Sequence, residues 1–65
     1  MRVHIWTYNV GNWEYIMELN TVDNRTYVQE TNRKVDEFEQ RTESCATNEE
    51  AMHWILNRLS QHYGE

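Results

Sequence analysis

Side chains that bind metals or act as nucleophiles are few and scattered in this 65-residue sequence, which holds three histidines and one cysteine. His53 and His62 are nine residues apart, about 180° around a helix, so one helix cannot present both to a zinc ion. Cys45 and His53 could form a thiol–imidazole pair, but the sequence indicates neither a cleft nor a group that would orient the imidazole. We therefore expect no metal, no cofactor, no catalytic residue and no enzymatic activity.

Carboxylates dominate the charge, and they are concentrated in one half of the chain. The formal net charge is −5; residues 1–34 carry four basic and four acidic side chains, so the whole excess lies in residues 35–65. Six carboxylates fall between positions 36 and 50: Asp36, Glu37, Glu39, Glu43, Glu49 and Glu50. One interpretation is a solvated face that keeps a small protein soluble. The other is an acidic patch that docks on a basic partner, with Asp36, Glu37, Glu39 and Glu43 as its contact residues.

Length and composition set the remaining limits. Sixty-five residues allow one domain, 1–65, with a small core. The acidic balance disfavours nucleic-acid binding, which needs clustered Lys and Arg. No apolar run is long enough for a membrane span, and no secretory leader is recognisable. A single cysteine fits a reducing compartment, so we expect a cytoplasmic protein with no membrane association.

Three segments alternate in side-chain character and are rich in β-branched and aromatic residues, which predicts strands over about 2–9, 13–20 and 25–31. Turn residues separate them, with Gly11 and Asn12 in the first connection and Asp23 and Asn24 in the second. The three strands should therefore form an antiparallel β-meander.

The stretch 33–43 fits two structures. As a strand, over about 34–40, it would complete a four-stranded sheet and a ββββα fold. As a helix capped by Asn32, it would place Val35, Phe38 and Thr42 on one face and give βββαα. Because three strands and one short helix make a thin domain, we favour the fourth strand and an α+β fold with four antiparallel strands.

The last segment predicts an amphipathic helix over about 48–63, packed on one face of the sheet. Its start has the form of a capping box, with the Thr47 hydroxyl on the Glu50 amide and the Glu50 carboxylate reaching back. Apolar residues then recur every three or four positions, at Met52, Ile55, Leu56, Leu59 and Tyr63. Gly64 follows, and because glycine commonly ends helices we expect the helix to stop there. Trp54 falls outside this stripe, on the outer side of the helix, where Arg58 could lie over its ring.

One helix covers only one face of the sheet, and the first hairpin decides which side chains it covers. A three-residue loop puts Val3 and Ile5 with the core and leaves Trp6, Tyr8 and Ile16 uncovered. A two-residue loop joins Trp6 and Tyr8 to the core side and leaves Val3, Ile5 and Ile16 outside. Either register leaves large apolar groups without cover. Exposed aromatic residues are enriched at interface hot spots, so the predicted partner-binding residues here are Trp6, Tyr8, Ile16 and Trp54.

In architecture and charge the chain resembles the small acidic phage-encoded inhibitors, including several anti-CRISPR proteins built from a short antiparallel sheet and a helix. The resemblance spans the strand pattern from Val3 to Thr31, the acidic stretch, and the helix start Thr47-Asn48-Glu49-Glu50-Ala51. It implies a stoichiometric inhibitor that blocks a nucleic-acid-binding groove or an assembly surface of a larger host protein, in the host cytoplasm.

Two other functions remain open at this stage. A homodimeric structural or regulatory module would pair through the open sheet face and so gain the burial that a small chain lacks. A single-stranded nucleic-acid binder would use Trp6 and Tyr8 as stacking platforms, and it would need basic groups beside them.

Overall fold

The predicted α+β fold with four strands and one helix is confirmed by a computed structural model, which describes residues 1–63. The sheet is antiparallel, in the order β1-β2-β3-β4, and one helix follows it. The elements are β1 (Arg2–Val10), β2 (Trp13–Asn20), β3 (Arg25–Asn32), a short 3-10 turn (Val35–Glu37), β4 (Glu39–Cys45) and α1 (Asn48–Tyr63). The proposed stop at Gly64 lies outside the described residues.

The first hairpin has the two-residue loop. Val10 pairs with Trp13, and of the two loop residues only Gly11 has a positive φ, +59°, which is the pattern of a type II′ turn. This register places Trp6 and Tyr8 on the same face as Tyr15, the face that α1 covers.

A β-bulge in β1 changes the outcome for Val3. The pairing shifts between His4 and Trp6, so that Val3 is opposite Leu19. Since one extra residue reverses the alternation of a strand, Val3 lies on the same face as Trp6 and Tyr8. Neither register alone predicts this arrangement, because both assume an unbroken alternation along β1.

The fourth strand exists but begins later than predicted. The predicted bounds of the fourth strand, about 34–40, are wrong, because β4 runs from Glu39 to Cys45 and Val35–Glu37 forms a 3-10 turn. β3 continues to Asn32, which pairs with Glu39, so the chain needs the intervening residues to reverse direction. The Asn32 side chain starts this reversal by accepting a hydrogen bond from the Lys34 amide at 3.1 Å.

The helix begins as the capping pattern predicts, with one difference. The Glu50 amide donates to the Thr47 hydroxyl at 3.1 Å, whereas the Glu50 carboxylate accepts from the amide of Ala46 rather than from that of Thr47. Both hydrogen bonds satisfy amides near the helix start that have no partner within the helix.

The buried side of α1 is rotated from the predicted stripe. Ala51 and Ile55 are fully buried, while Leu56 is 57% exposed. The outer position predicted for Trp54 is wrong, because Trp54 is half-buried and packs against the core. Its contact with Arg58 is confirmed, with the guanidinium carbon 5.7 Å from the ring centroid. The rotation brings Arg58 and His62 towards the sheet, where a buried carboxylate meets them.

Candidate protein-binding surfaces

A buried carboxylate, Glu30, lies at the centre of the helix-facing side of β3. It is only 2% exposed. The Tyr15 hydroxyl donates to its Oε2 at 2.8 Å. Arg58 binds it with two parallel hydrogen bonds of 3.0 Å, from Nε to Oε2 and from a terminal nitrogen to Oε1. Such a bidentate pair fixes both the distance and the rotation of α1 on the sheet.

Two further residues complete this cluster. The His62 Nε2 lies 3.0 Å from Glu30 Oε2, and its ring stacks on Trp13 with the centroids 3.7 Å apart. On the other side, Arg41 of β4 places its Nε 3.5 Å from Glu30 Oε1. We call Tyr15, Glu30, Arg41, Arg58 and His62 the Glu30 cluster; it ties three elements, β2, β4 and α1, to the centre of β3.

The electrostatics of the Glu30 cluster suit it to stabilising the fold and do not suit it to acid–base catalysis. Burial alone would raise the pKa of Glu30, but hydrogen bonds from Arg58, His62 and Tyr15 outweigh that effect and lower the pKa to about 2. Burial, and then the bond to Glu30, raise the pKa of Tyr15. At neutral pH the carboxylate is therefore ionised and the phenol protonated, and neither group is suited to proton transfer.

Glu30 was not among the predicted site residues, because most of the acidic residues lie after position 35 and dominate the charge pattern. A signal was available in the alternation of β3, since Glu30 is in phase with Val28 and Thr26, which are both buried. Its partners Arg58 and His62 are four residues apart, so they share a helix face with each other.

The predicted acidic contact residues lie along one edge of the molecule. Asp36 and Glu37 belong to the 3-10 turn, and Glu39 and Glu43 belong to β4, which is an edge strand. Two apolar residues stand among them, Phe38 at 63% exposure and Val35 at 93%. We call these six residues the acidic margin. Phe38 and Val35 were not among the predicted binding residues.

The charge of the acidic margin is only partly neutralised from within. Lys34 Nζ lies 3.7 Å from a Glu37 carboxylate oxygen, and both side chains are largely exposed, so this pair contributes little. Arg41 is directed towards Glu30. Glu39 and Glu43 form no ion pair within residues 1–63.

The predicted aromatic contacts lie at the opposite edge. Trp6 and Tyr8 stack on each other along β1, with ring centroids 5.5 Å apart and an interplanar angle of 6°. Trp6 packs against the core, while Tyr8 is 41% exposed. Because β1 and β4 are separated by two strands, the two edges are about 14 Å apart across the sheet. The aromatic and acidic residues therefore do not form one contiguous surface.

The open face of the sheet is mainly polar; of the apolar residues that a two-residue loop was predicted to leave there, Ile16 lies on it and Val3 does not. Ile16 is half-buried on this face, between Thr7 and Gln29 in the pairing register. The Arg2 guanidinium lies over the Tyr27 ring, with its carbon 4.7 Å from the ring centroid. The Tyr27 hydroxyl donates a hydrogen bond to the Asp23 carboxylate. The remaining side chains of the strands on this face are His4, Thr7, Asn9, Glu14, Glu18, Asn20, Arg25, Gln29, Thr31, Gln40, Thr42 and Ser44.

Of the eight predicted binding residues, the structure brings together four, Asp36, Glu37, Glu39 and Glu43, on the acidic margin. Trp6 and Tyr8 form a separate pair, and Ile16 and Trp54 lie apart from both. Within residues 1–63, no group of three or more His, Cys, Asp or Glu side chains is arranged to hold a metal ion. In the same residues, no helix combines the length and apolar character needed to cross a membrane. Comparisons with protein-family models, curated proteins and solved structures gave no match.

Proposed function

We propose that this chain is a small, non-enzymatic protein-binding module that docks through the acidic margin on a basic surface of a larger protein. The observation that supports this most directly is the exposure of Phe38 and Val35 among four carboxylates. Large exposed apolar groups lose unfavourable contact with water when a partner covers them.

The two kinds of residue have complementary roles. Phe38 supplies an aromatic anchor of the type that fills a pocket at the centre of an interface. Glu37, Glu39 and Glu43 supply negative potential that steers a basic partner and sets its orientation more than it adds affinity.

The part of the acidic margin that lies on β4 is held by pairing along the whole strand. β4 forms seven successive residue pairs with β3, from Thr26–Cys45 to Asn32–Glu39. Arg41, in the middle of β4, also interacts with the buried Glu30. A margin held in one conformation loses less conformational entropy when a partner binds.

The partner class follows from the chemistry of the margin. Lys and Arg clusters that hold nucleic acid, or that join subunits, are the basic surfaces a carboxylate-rich edge would occupy. We propose that the chain acts by occupying such a surface in the cytoplasm, in the manner of the small acidic phage inhibitors that it resembles.

The test begins with protein retained by the immobilised chain from an extract of its native host, identified and purified, and then titrated directly. The double variant Glu37→Lys/Glu43→Lys and the single variant Phe38→Ser should each weaken binding at least tenfold. The control variant Glu18→Lys/Glu49→Lys makes the same change of net charge away from the acidic margin and should bind as the wild type does. Unchanged binding by the margin variants, or retention only of proteins without a basic surface, would reject the proposal.

The geometry gives less support to single-stranded nucleic-acid binding. Trp6 and Tyr8 lie on the helix-covered face, whereas Arg2 lies on the open face over Tyr27. Stacking platforms for bases need basic groups alongside them. Pairing through the open face is likewise disfavoured as a route to a homodimer, because that face offers mainly polar side chains.

A further inference from the structure

We infer that two copies of this chain associate through their β1 strands, antiparallel and about a twofold axis, to form one continuous eight-stranded sheet. This inference concerns the edge opposite to the acidic margin and does not depend on the proposed function. It rests on the free edge of β1, the apolar side chains beside that edge and the distribution of charge along it.

β1 is a long edge strand that carries hydrogen-bonding groups with no partner in the sheet. It spans nine residues and pairs on one side only, with β2. Val10 and Trp13 are the hydrogen-bonded pair that closes the type II′ turn. Every second residue before Val10, namely Tyr8 and Trp6, therefore directs its backbone N–H and C=O groups to β2. The residues between them, Asn9 and Thr7, direct these groups outward. Another edge strand is the natural partner for such a row.

The side chains along this edge do not protect it from pairing. Edge strands that must stay unpaired usually carry lysine, proline or inward-pointing charges. In β1 the only formally charged residue is Arg2, at one end. Val3, Ile5 and Tyr8 are all more than a third exposed, and so is Tyr63 of α1, whose hydroxyl donates to the Val10 carbonyl. The bulge after His4 is the one protective feature, and it interrupts the pairing of β1 only between His4 and Trp6, near the middle of the strand.

The positions of the charged side chains near β1 favour antiparallel pairing with a second copy of the chain. A twofold axis near the middle of β1 separates the two Arg2 side chains by nearly the length of the strand, about 30 Å. It also brings each Arg2 close to the Asn9–Val10 end of the other copy. Asn9 pairs with Glu14 on the same face, and Glu14 forms no ion pair within residues 1–63. Arg2, which in its own copy lies 3.4 Å from a Glu18 carboxylate oxygen on the open face, is thus brought near Glu14 of the other copy, a side chain of opposite charge on the same face.

The other edge does not suit self-association. β4 presents Glu39 and Glu43, so two β4 strands placed side by side would bring like charges together. Pairing of β1 with β4 of another copy would be head-to-tail and would produce a ring or an open filament rather than a twofold dimer. The twofold β1 pairing alone gives a closed dimer.

Sedimentation velocity over a range of micromolar concentrations tests this inference with the full chain. The wild type should convert from monomer to dimer. The variant Thr7→Lys/Asn9→Lys places two charges beside the β1 edge and should shift the midpoint to at least tenfold higher concentration. The control variant Gln40→Lys/Thr42→Lys makes the same charge change on the same sheet face of β4, and it should dimerise as the wild type does.

Hydrogen exchange provides a second measurement that needs no variant. The amides of Thr7 and Asn9 should exchange more slowly as the protein concentration rises, while those of β4 should not change. A monomer at all concentrations, assemblies larger than a dimer, equal loss of association in the β1 and β4 variants, or concentration-independent exchange at Thr7 and Asn9 would each overturn the inference.

Discussion

Replacing Glu30 by glutamine should remove most of the charge interaction that holds α1 on the sheet. The pKa of Glu30 is lowered from 4.5 to about 2, a difference of about 2.5, and each unit corresponds to ~1.4 kcal/mol. The ionised carboxylate therefore contributes about 3 kcal/mol of stability at neutral pH. Mutational losses of about 3–5 kcal/mol for a broken buried ion pair are of the same size.

This loss is large for a chain of 65 residues, whose total stability is expected to be about 3–10 kcal/mol. Glu30→Gln should therefore leave a marginally stable or partly unfolded protein. The remaining members of the cluster make the effect worse, because Arg58 keeps its charge with only 19% of its side chain exposed.

The same interaction predicts the acid sensitivity of the wild type. Because folding lowers the pKa of this carboxyl, its contribution is complete above pH 4.5 and is lost as the pH falls towards 2. Glu30→Gln should abolish this part of the pH dependence.

The assay is urea unfolding followed by tryptophan fluorescence and circular dichroism, at neutral pH and at several acidic values. Trp13 and Trp54 report on the site directly, since they contact His62 and Arg58. Glu43→Gln removes an exposed carboxylate from the neighbouring strand and should cost less than about 0.5 kcal/mol. A cost below about 1 kcal/mol for Glu30→Gln, or an unchanged acid profile in that variant, would refute the role assigned to the Glu30 cluster.

Three further predictions concern packing, the first turn and the cysteine. Ile55→Ala should lower the free energy of unfolding by about 2–5 kcal/mol, because Ile55 is fully buried. Leu56→Ala should change it by less than about 0.5 kcal/mol, because Leu56 is exposed. Equal losses of the two variants in urea unfolding would contradict the orientation of α1. Gly11→Ala should lower the free energy of unfolding by about 1–3 kcal/mol, because φ is +59° and the added Cβ would lie 2.7 Å from the Tyr63 hydroxyl oxygen. In a double-mutant cycle, Tyr63→Phe should relieve part of that cost. Strictly additive effects of the two substitutions would exclude the contact. Burial, and then the nearby Glu43 and Glu50 carboxylates, raise the pKa of the Cys45 thiol. The folded protein should therefore react slowly with a thiol reagent at mildly alkaline pH, and the protein in denaturant should react rapidly. Similar rates in the two states would show that Cys45 is accessible in the folded protein.

Local patterns predicted most of the secondary structure because each depends on residues close together in the chain. The alternation in 13–20 and 25–31 gave two strands whose bounds agree with the structure to within a residue. The Thr47 cap and the periodicity that follows it gave the helix start and end. The fourth strand was predicted but misplaced, since its position depends on the length of β3 and on the turn at Asn32, and both are set by pairing between strands.

Local sequence patterns predicted three antiparallel strands, a C-terminal helix and negative charge in the second half of the chain, and they favoured a fourth strand over a second helix. Which side chains those elements bury depends on how the strands and the helix pack together. One inserted residue in β1 reversed the face of Val3, and the ion pair between Glu30 and Arg58 set the rotation of α1, moving Trp54 towards the core and Leu56 out to solvent. Both effects arise from contacts between residues distant in sequence, which no periodicity within a single segment can encode.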